Sequence, residues 1–157
     1  MTTIVPLGPD FARWDDLLAL ILDAFAYMDG IIDPPSSAHR LTPVSLAAKA
    51  EAEIAYAAME GHTLLGCIFC RPEAESLYIG KLAVAPGLQG RGAGRRLLER
   101  AEELARALGL PALRLETRVE LTGNHAAFAR LGFARTGEYA HPGFDRITAI
   151  EMRKRLT

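Results

Sequence analysis

The sequence predicts an α/β protein with one mixed β-sheet and helices on both of its faces. Three observations support this prediction. Segments typical of strands outnumber those typical of helices, two long stretches repeat apolar residues at helical spacing, and only the middle of the chain alternates strand, helix and strand. Because alternation along the whole chain would favour a parallel, doubly wound sheet, a mixed sheet is the better prediction.

The N-terminal part predicts two helices joined by a loop. Residues 10–28 repeat apolar side chains at helical spacing, and Asp10 stands where it could cap this helix. The next stretch, DGIIDPPSSAHR, is rich in residues that break helices and strands, which indicates a loop. Thr42 followed by Pro43 fits the cap and first position of a second, short helix.

The remaining elements can be assigned from alternation and breaker residues. Glu60-Gly61 indicates a hairpin turn between two strands, and Pro86 ends a third. The clearest helix ends at Gly109 and Pro111, and Gly132 stops a shorter one. The predicted strands are 53–59, 62–71, 77–84, 112–119, 133–139 and 146–153, and the two later helices are 91–108 and 124–131.

The composition indicates one domain spanning residues 1–157. Half of the residues are apolar and 24% are charged, which is ordinary for a soluble globular protein. The formal net charge of −1 argues against an extended nucleic-acid surface. No stretch approaches the roughly 18 apolar residues of a membrane span, and the first residues lack the pattern of a signal peptide. We therefore expect neither a nucleic-acid nor a membrane partner.

Two cysteines, Cys67 and Cys70, are too few for the disulfide framework of a secreted protein, which favours a cytoplasmic location. Their CxxC spacing would suit a metal only with a second ligand pair, and none is spaced for it. Because TLLGCIFC predicts a strand, side chains three positions apart face opposite sides. We expect buried structural thiols and no metal site.

The stretch VAPGLQGRGAG, residues 84–94, indicates an anion-binding loop between a strand and a helix. It is not a Walker A loop, because Gly92 is followed by Ala93 rather than by Lys and Ser or Thr. It fits the dinucleotide fingerprint poorly, because Arg95 stands where the third glycine is needed. Backbone N–H groups at a helix N-terminus, with three nearby arginines, favour a phosphate or pyrophosphate. A plain strand-to-helix connection is the alternative.

Together with its flanks, this loop resembles the signature of the GNAT superfamily of acyl-CoA-dependent N-acyltransferases. The resemblance rests on the strand LAVAP, on QGRGAG at 89–94, and on NHAAFARLGF at 124–133. It covers nearly all of the chain after residue 10. It implies a mostly antiparallel sheet of six to seven strands with a V-shaped splay between two central parallel strands.

The resemblance implies acetyl-CoA as co-substrate. Residues 90–95 would hold its pyrophosphate, and residues 82–84 would contact the pantetheine and acetyl group and offer a backbone N–H to the oxyanion. The implied cofactor-binding residues are Leu82, Ala83, Val84, Gln89, Gly90, Arg91, Gly92, Ala93, Gly94, Arg95, Asn124 and Phe128. For Asn124, which lies three positions away from the family's usual asparagine, an N-cap role in the short helix is the alternative.

The resemblance further implies that a primary amine of a small molecule or peptide attacks the thioester directly. Because an alkylamine is mostly protonated at neutral pH, a base is needed, and Glu116 is the candidate, ahead of Asp145 and Glu120. Many relatives carry a tyrosine where this chain has Phe128. A different hydroxyl, from Tyr139 or Tyr78, would then protonate the departing thiolate, or the thiolate would leave unaided.

Two loops are expected to form the acceptor side: residues 29–37, with the neighbouring Tyr27 and Met28, and residues 138–146, with His141 and Asp145. Two other functions stay open. A non-catalytic acyl-CoA-binding module is favoured by the missing tyrosine, and a nucleotide-dependent oxidoreductase is disfavoured by the failed fingerprint. The expected partners are acetyl-CoA and an amine acceptor, and both a monomer and a homodimer are compatible with the sequence.

Overall fold

In the computed structural model, which describes all 157 residues, the chain forms seven strands in one sheet. The order across the sheet is β1-β2-β3-β4-β5-β7-β6, and only β4 and β5 are parallel neighbours. This confirms the mixed, mostly antiparallel sheet. The strands are β1 Thr3–Pro6, β2 Ile54–Glu60, β3 Thr63–Pro72, β4 Leu77–Val84, β5 Ala112–Arg118, β6 Ala134–Tyr139 and β7 Ala149–Arg155.

Four α-helices flank the sheet. They are α1 Trp14–Phe25, α2 Pro43–Ala52, α3 Ala93–Ala107 and α4 Thr122–Arg130, with short 3-10 turns at Ala26–Met28 and Ser37–Arg40. Along the chain, α1 and α2 precede β4, α3 connects β4 to β5, and α4 follows β5. No helix combines the length and the apolar character that a bilayer span requires. Strand β1 was not predicted, because its four residues, TIVP, are too few to show an alternating pattern.

The predicted cap at Asp10 is wrong, whereas the predicted start of α2 is confirmed. Helix α1 begins only at Trp14, because residues 8–11 form a turn in which the N–H of Phe11 donates to the carbonyl of Gly8. In α2, Thr42 and Ser45 form a reciprocal capping box. The N–H of Ser45 donates to Thr42 Oγ1 at 3.0 Å, so a donor that the helix leaves unpaired is satisfied.

Apolar side chains build one core on each face of the sheet. Helix α3 packs on one face, where Leu97 is fully buried, and α1 and α2 pack on the other, where Leu17 and Leu46 are fully buried. Cys70 belongs to the first core and Cys67 to the second, so the two thiols face opposite sides as expected. Burial raises the pKa of each thiol to about 12, which leaves both unreactive at neutral pH.

The parallel strands separate after three residue pairs. Strand β4 pairs with β5 only from Leu77–Leu113 to Ile79–Leu115, although both strands continue beyond these positions. The pairing of β4 with β3 is also irregular next to the split, and Lys81 is the only non-glycine residue with positive φ, at 43°. A bulged β4 and a diverging β5 therefore open a gap in the middle of the sheet.

Candidate active site

The gap between β4 and β5 widens into a cleft of about 670 Å³. Its lining combines the diverging ends of the two strands with the end of α1, the loop that follows it, and the first part of α4. In open α/β sheets a ligand lies where neighbouring strands diverge at their carboxyl ends, and this cleft has that position. Residues that are far apart in the chain thus meet at one point.

The predicted cofactor segment of β4 lies along this cleft. Leu82, Ala83 and Val84 all line it, as does Gln89 from the glycine-rich loop. The positions from 90 to 95 do not line the cleft itself but follow Gln89 directly in the chain. A ligand that fills the cleft along β4 would therefore leave it at the beginning of the loop.

The loop that leads into α3 contains two positions whose backbone conformation favours glycine. Gly90 and Gly92 have φ of 84° and 79°, which L side chains rarely adopt. Gly92 occupies the N-cap position, and no side chain caps the helix there. The first N–H groups of a helix have no intrahelical partner, and the helix dipole is positive at this end. This geometry can bind an anion.

Two arginines of the loop region have no acidic partner. Arg95 and Arg96 are exposed and make no ion pair, whereas Arg91 lies 3.6 Å from Glu60. Two unpaired guanidinium groups therefore add positive charge to the first turn of α3, where the helix dipole already favours negative charge.

Glu116 on β5 is the centre of a polar cluster inside the cleft. The hydroxyls of Tyr78 and Tyr139 lie 3.4 and 3.5 Å from its Oε1, at the outer limit of a hydrogen bond. Arg114 donates to Oε2 at 3.2 Å. The structure thus brings together the predicted base and both tyrosines considered as proton donors.

Both tyrosines in this cluster are held as neutral hydroxyls. Burial, followed by the charge of Glu116, raises the pKa of Tyr78 to about 12 and also raises the pKa of Tyr139. The ring of Tyr78 lies between two guanidinium groups, of Arg71 and Arg114, each 4.7 Å from its centroid. Each hydroxyl is therefore protonated at neutral pH and able to donate to a neighbouring anion.

Arg114 is shared among three carboxylates, which fixes one side of the cluster. It makes two contacts of 2.8 Å with Glu73 and one of 3.3 Å with Glu151, besides that with Glu116. The hydrogen bonds between Arg114 and Glu73 raise the pKa of the guanidinium and lower the pKa of Glu73. Because Arg114 donates to three carboxylates, Glu116 shares this guanidinium with Glu73 and Glu151 and does not form an exclusive ion pair with it.

Phe128 and Asn124 both line the cleft from α4. The Phe128 ring packs against Phe133 edge to face, with centroids 5.6 Å apart. Position 128 therefore provides an aromatic contact but no hydroxyl group. The N-cap interpretation of Asn124 is wrong, because α4 already begins at Thr122 and the side chain of Asn124 donates to the hydroxyl of Tyr27 at 3.1 Å. This bond bridges α4 and the end of α1 at the edge of the cleft.

The expected acceptor residues divide into two groups. Tyr27, Met28, Ile32 and His141 line the cleft, whereas Ile31 and Asp145 do not. Glu120, which like Asp145 was an alternative to Glu116 as the base, does not line it either. The loop after α1 is fixed beside β5, because Arg118 donates to the carbonyl of Pro34 at 2.6 Å. Burial, and then the charge of Arg118, lowers the pKa of His141.

Ser37 belongs to the loop predicted for the acceptor side, but sequence reasoning missed several charged side chains that line the same cleft: Arg40, Lys49, Arg71 and Lys81. One signal for them was present in the sequence. Lys81 is a charged residue in the middle of the apolar strand LYIGKLAV, a position that usually holds an apolar side chain. The others come from α2, from the loop before it and from β3, and their convergence depends on the tertiary fold.

Comparisons with known proteins agree with this geometry. A family model described as the acetyltransferase (GNAT) family matches residues 14–133. The protein named IAA acetyltransferase from Azospirillum brasilense is 33% identical over 144 residues, which is 90% of this chain and 92% of that protein.

Two solved structures share the fold. The PaiA N-acetyltransferase from Thermoplasma acidophilum, in complex with coenzyme A, has a TM-score of 0.79 at 16% identity and covers 99% of both chains. A GNAT family acetyltransferase from Elizabethkingia anophelis with acetyl-CoA bound has a TM-score of 0.69 at 21% identity, over 99% of this chain and 98% of that one. Both structures were solved with CoA or acetyl-CoA bound.

Proposed function

Because this chain belongs to the GNAT family of acetyltransferases, we propose that it transfers an acetyl group from acetyl-CoA to a primary amine of a small molecule or peptide. The observation that carries the proposal is the cleft between β4 and β5. A strand that leads into an anion-binding loop lies along one side of it, and a carboxylate facing two tyrosine hydroxyls lies on the other.

The donor half of the reaction uses β4 and the loop after it. The N–H groups of Gly90–Arg95, a segment that includes Arg91 and Ala93, hold the pyrophosphate. Gln89, directly before this segment, belongs to the same binding site. The pantetheine extends along Leu82, Ala83 and Val84. A backbone N–H of this segment donates to the acetyl oxygen, and because the strand already fixes its direction, no reorganisation is needed when charge develops there.

The acceptor half requires the removal of a proton. An alkylammonium ion has a pKa near 10, so most of it is protonated at neutral pH and cannot attack. Glu116 accepts this proton, directly or through one water, and the free amine then forms the new C–N bond. The C–S bond of the thioester breaks, and the products are an amide, the thiol of CoA and one released proton.

Tyr139 supplies a proton to the departing sulfur in this proposal, with Tyr78 as the second hydroxyl. Phe128 contributes apolar contact with the cofactor, and Asn124 binds it beside the start of α4. Because Tyr139 also contacts Glu116, the proton taken from the amine can return to the tyrosine through that contact. The two groups would therefore act together, with no net loss of a proton from either.

A single substitution tests the role of Glu116. Glu116→Gln keeps the size of the side chain and one acceptor oxygen but removes the base, so kcat is expected to fall by roughly 10²–10⁴. The KM for acetyl-CoA should stay unchanged, because the loop and β4 are intact. The measurement is release of the CoA thiol at saturating acetyl-CoA with an amine that the wild type accepts.

A matched control makes this change at a carboxylate outside the cleft. Glu103 is exposed on α3 and pairs with Arg100, so Glu103→Gln should leave kcat unchanged. If kcat of Glu116→Gln stayed within twofold of the wild type, the base would have to be a different group.

The acyl-CoA-binding module is the second candidate, and one observation favours it: position 128 has no hydroxyl to protonate the sulfur. The two functions differ in their products. A binding module is stabilised by acetyl-CoA but forms no acetylated amine, whereas the enzyme does both.

A further inference from the structure

Four cations lie on the lining of the cleft outside the predicted cofactor segment, namely Arg40, Lys49, Lys81 and Arg118. Only one of them has a carboxylate partner, because Lys49 pairs with Glu53 at 2.7 Å. Arg71, which lies 3.9 Å from Glu73, is a fifth cation on the lining, and Glu116 is the only carboxylate there. The cleft therefore carries an excess of positive charge that its own residues do not neutralise.

Lys81 is the member of this group that lies on β4, the strand along one side of the cleft. Its side chain is half-buried, and its ammonium group donates to Ser37 Oγ at 2.8 Å, a neutral acceptor. Burial, followed by the charges of Lys49 and Arg40, lowers the pKa of Lys81, and the charge of Glu53 opposes this effect. A half-buried cation beside like charges is unfavourable unless an anion joins it.

The two arginines are also without acidic partners. Arg118 donates to the carbonyls of Pro34 and Pro35, and Arg40 is exposed with no ion pair. Neutral carbonyl oxygens orient a guanidinium but leave its charge uncompensated.

The phosphates of acetyl-CoA do not explain these cations. The proposed pyrophosphate loop begins α3, which packs on the face of the sheet that contains Leu97 and Leu98. Lys49 lies 5.9 Å from the ring centroid of Phe69, which belongs to the core on the opposite face. Lys49, and Lys81 through its contact with Ser37 in the segment before α2, therefore lie on the face of the sheet opposite to the loop.

We propose that the acceptor carries, besides its amine, an anionic oxygen group that Lys81 and Arg40 bind. This inference rests on the function proposed above and narrows it to short amines that bear a carboxylate or a phosphate. Lys81 directly precedes the segment Leu82–Val84, so an anion held there keeps the rest of a short acceptor next to the thioester. Glu116 remains available for the amine because its charge repels the anionic end of the acceptor.

Pairs of acceptors that differ only in the anionic group test this proposal. Glycine, β-alanine and 4-aminobutyrate would each be compared with the corresponding carboxamide, and phosphoethanolamine with ethanolamine. We expect kcat/KM to be about tenfold or more higher for the anionic member, since a charge-assisted hydrogen bond is lost without it. The amino acids and phosphoethanolamine separate a carboxylate from a phosphate site. Equal or higher activity with the neutral members would overturn the proposal.

Substitutions of the named cations test whether these side chains cause the preference for anionic acceptors. Lys81→Met should raise the KM of the preferred anionic acceptor about tenfold and leave the KM for acetyl-CoA and for the neutral amines unchanged. Lys81→Arg should restore most of the preference, and Arg40→Gln, at an exposed position, should weaken it without disturbing folding. Lys154→Met removes the same charge outside the cleft, from a lysine paired with Glu102, and should change nothing.

A binding measurement separates failure of this inference from failure of the proposed function. If no amine releases CoA, calorimetry with CoA present would compare N-acetyl-β-alanine with N-acetyl-β-alaninamide. Binding of the acid but not of the amide, with loss in Lys81→Met, supports the anion site even without turnover. No preference for the acid, including no binding of either compound at millimolar concentration, would overturn the inference.

Discussion

At the scale of single residues, Glu116 differs from the neighbouring carboxylates on its side of the sheet because two tyrosine hydroxyls face it. Glu73 and Glu151 have lowered pKa values, caused first by hydrogen bonds from Arg114 and from Thr136 respectively. Glu116 receives one contact of 3.2 Å from Arg114 besides the longer contacts from Tyr78 and Tyr139, and it is the one of the three that lines the cleft. It is therefore the carboxylate of the three that we propose as the base for the incoming amine.

Phe128 offers a test of which hydroxyl protonates the sulfur. Tyr139→Phe should lower kcat by about 10-fold to 100-fold, because general acid assistance is lost. Phe128→Tyr alone should fold normally and keep its activity, since the ring lines the cleft and is only partly buried where it packs against the core. Combined with Tyr139→Phe, it should restore part of kcat, measured as thiol release.

Thermal unfolding serves as the control for both variants. A large loss of stability in Phe128→Tyr would mean that position 128 belongs to the core rather than to the cleft. If Tyr139→Phe kept full kcat, the thiolate would leave unaided or Tyr78 would be the donor.

At the scale of elements, most helices and strands could be predicted, and the misses have local causes. Helix α3 and strand β4 lie almost where periodicity and breakers placed them, because long regular patterns determine such elements. Strand β1 is too short to show an alternating pattern, and because of a turn at residues 8–11, α1 begins later in the chain than predicted. The bulge at Lys81 has no signature in a single sequence, although it shapes the wall of the cleft.

The loop before α3 gives a prediction at this scale. Gly92→Asp places a negative charge at the N-cap of α3, where the pyrophosphate is proposed to bind, and should remove most of the stabilisation by acetyl-CoA. That stabilisation is about 2.7 kcal/mol at a concentration 100 times Kd. The measurement is the acetyl-CoA-dependent shift of Tm.

Gly92→Asn is the matched control, because asparagine has nearly the same shape and also tolerates the left-handed backbone found here. It should keep a clear part of the shift. Equal shifts in Gly92→Asp and the wild type would show that the pyrophosphate does not bind at this loop.

At the scale of the whole molecule, the site is assembled from segments that are far apart in sequence. The loop motif predicted the donor side, because strand, glycines and helix start are contiguous. The acceptor side could not be predicted in the same way. Ser37, Arg40, Lys49 and Lys81 meet only when α2 and the loop before it pack over β4, and the bond between Tyr27 and Asn124 joins residues 97 positions apart.

The central claim is that the cleft performs acetyl transfer to an amine and does not merely bind acetyl-CoA. The most direct measurement is incubation of the protein with acetyl-CoA and a panel of amines, amino acids and peptides, with mass-spectrometric detection of products. Amine-dependent release of CoA with an equal amount of N-acetylated product is the predicted result. Stabilisation by acetyl-CoA with no acetylated product from any member of the panel would contradict it.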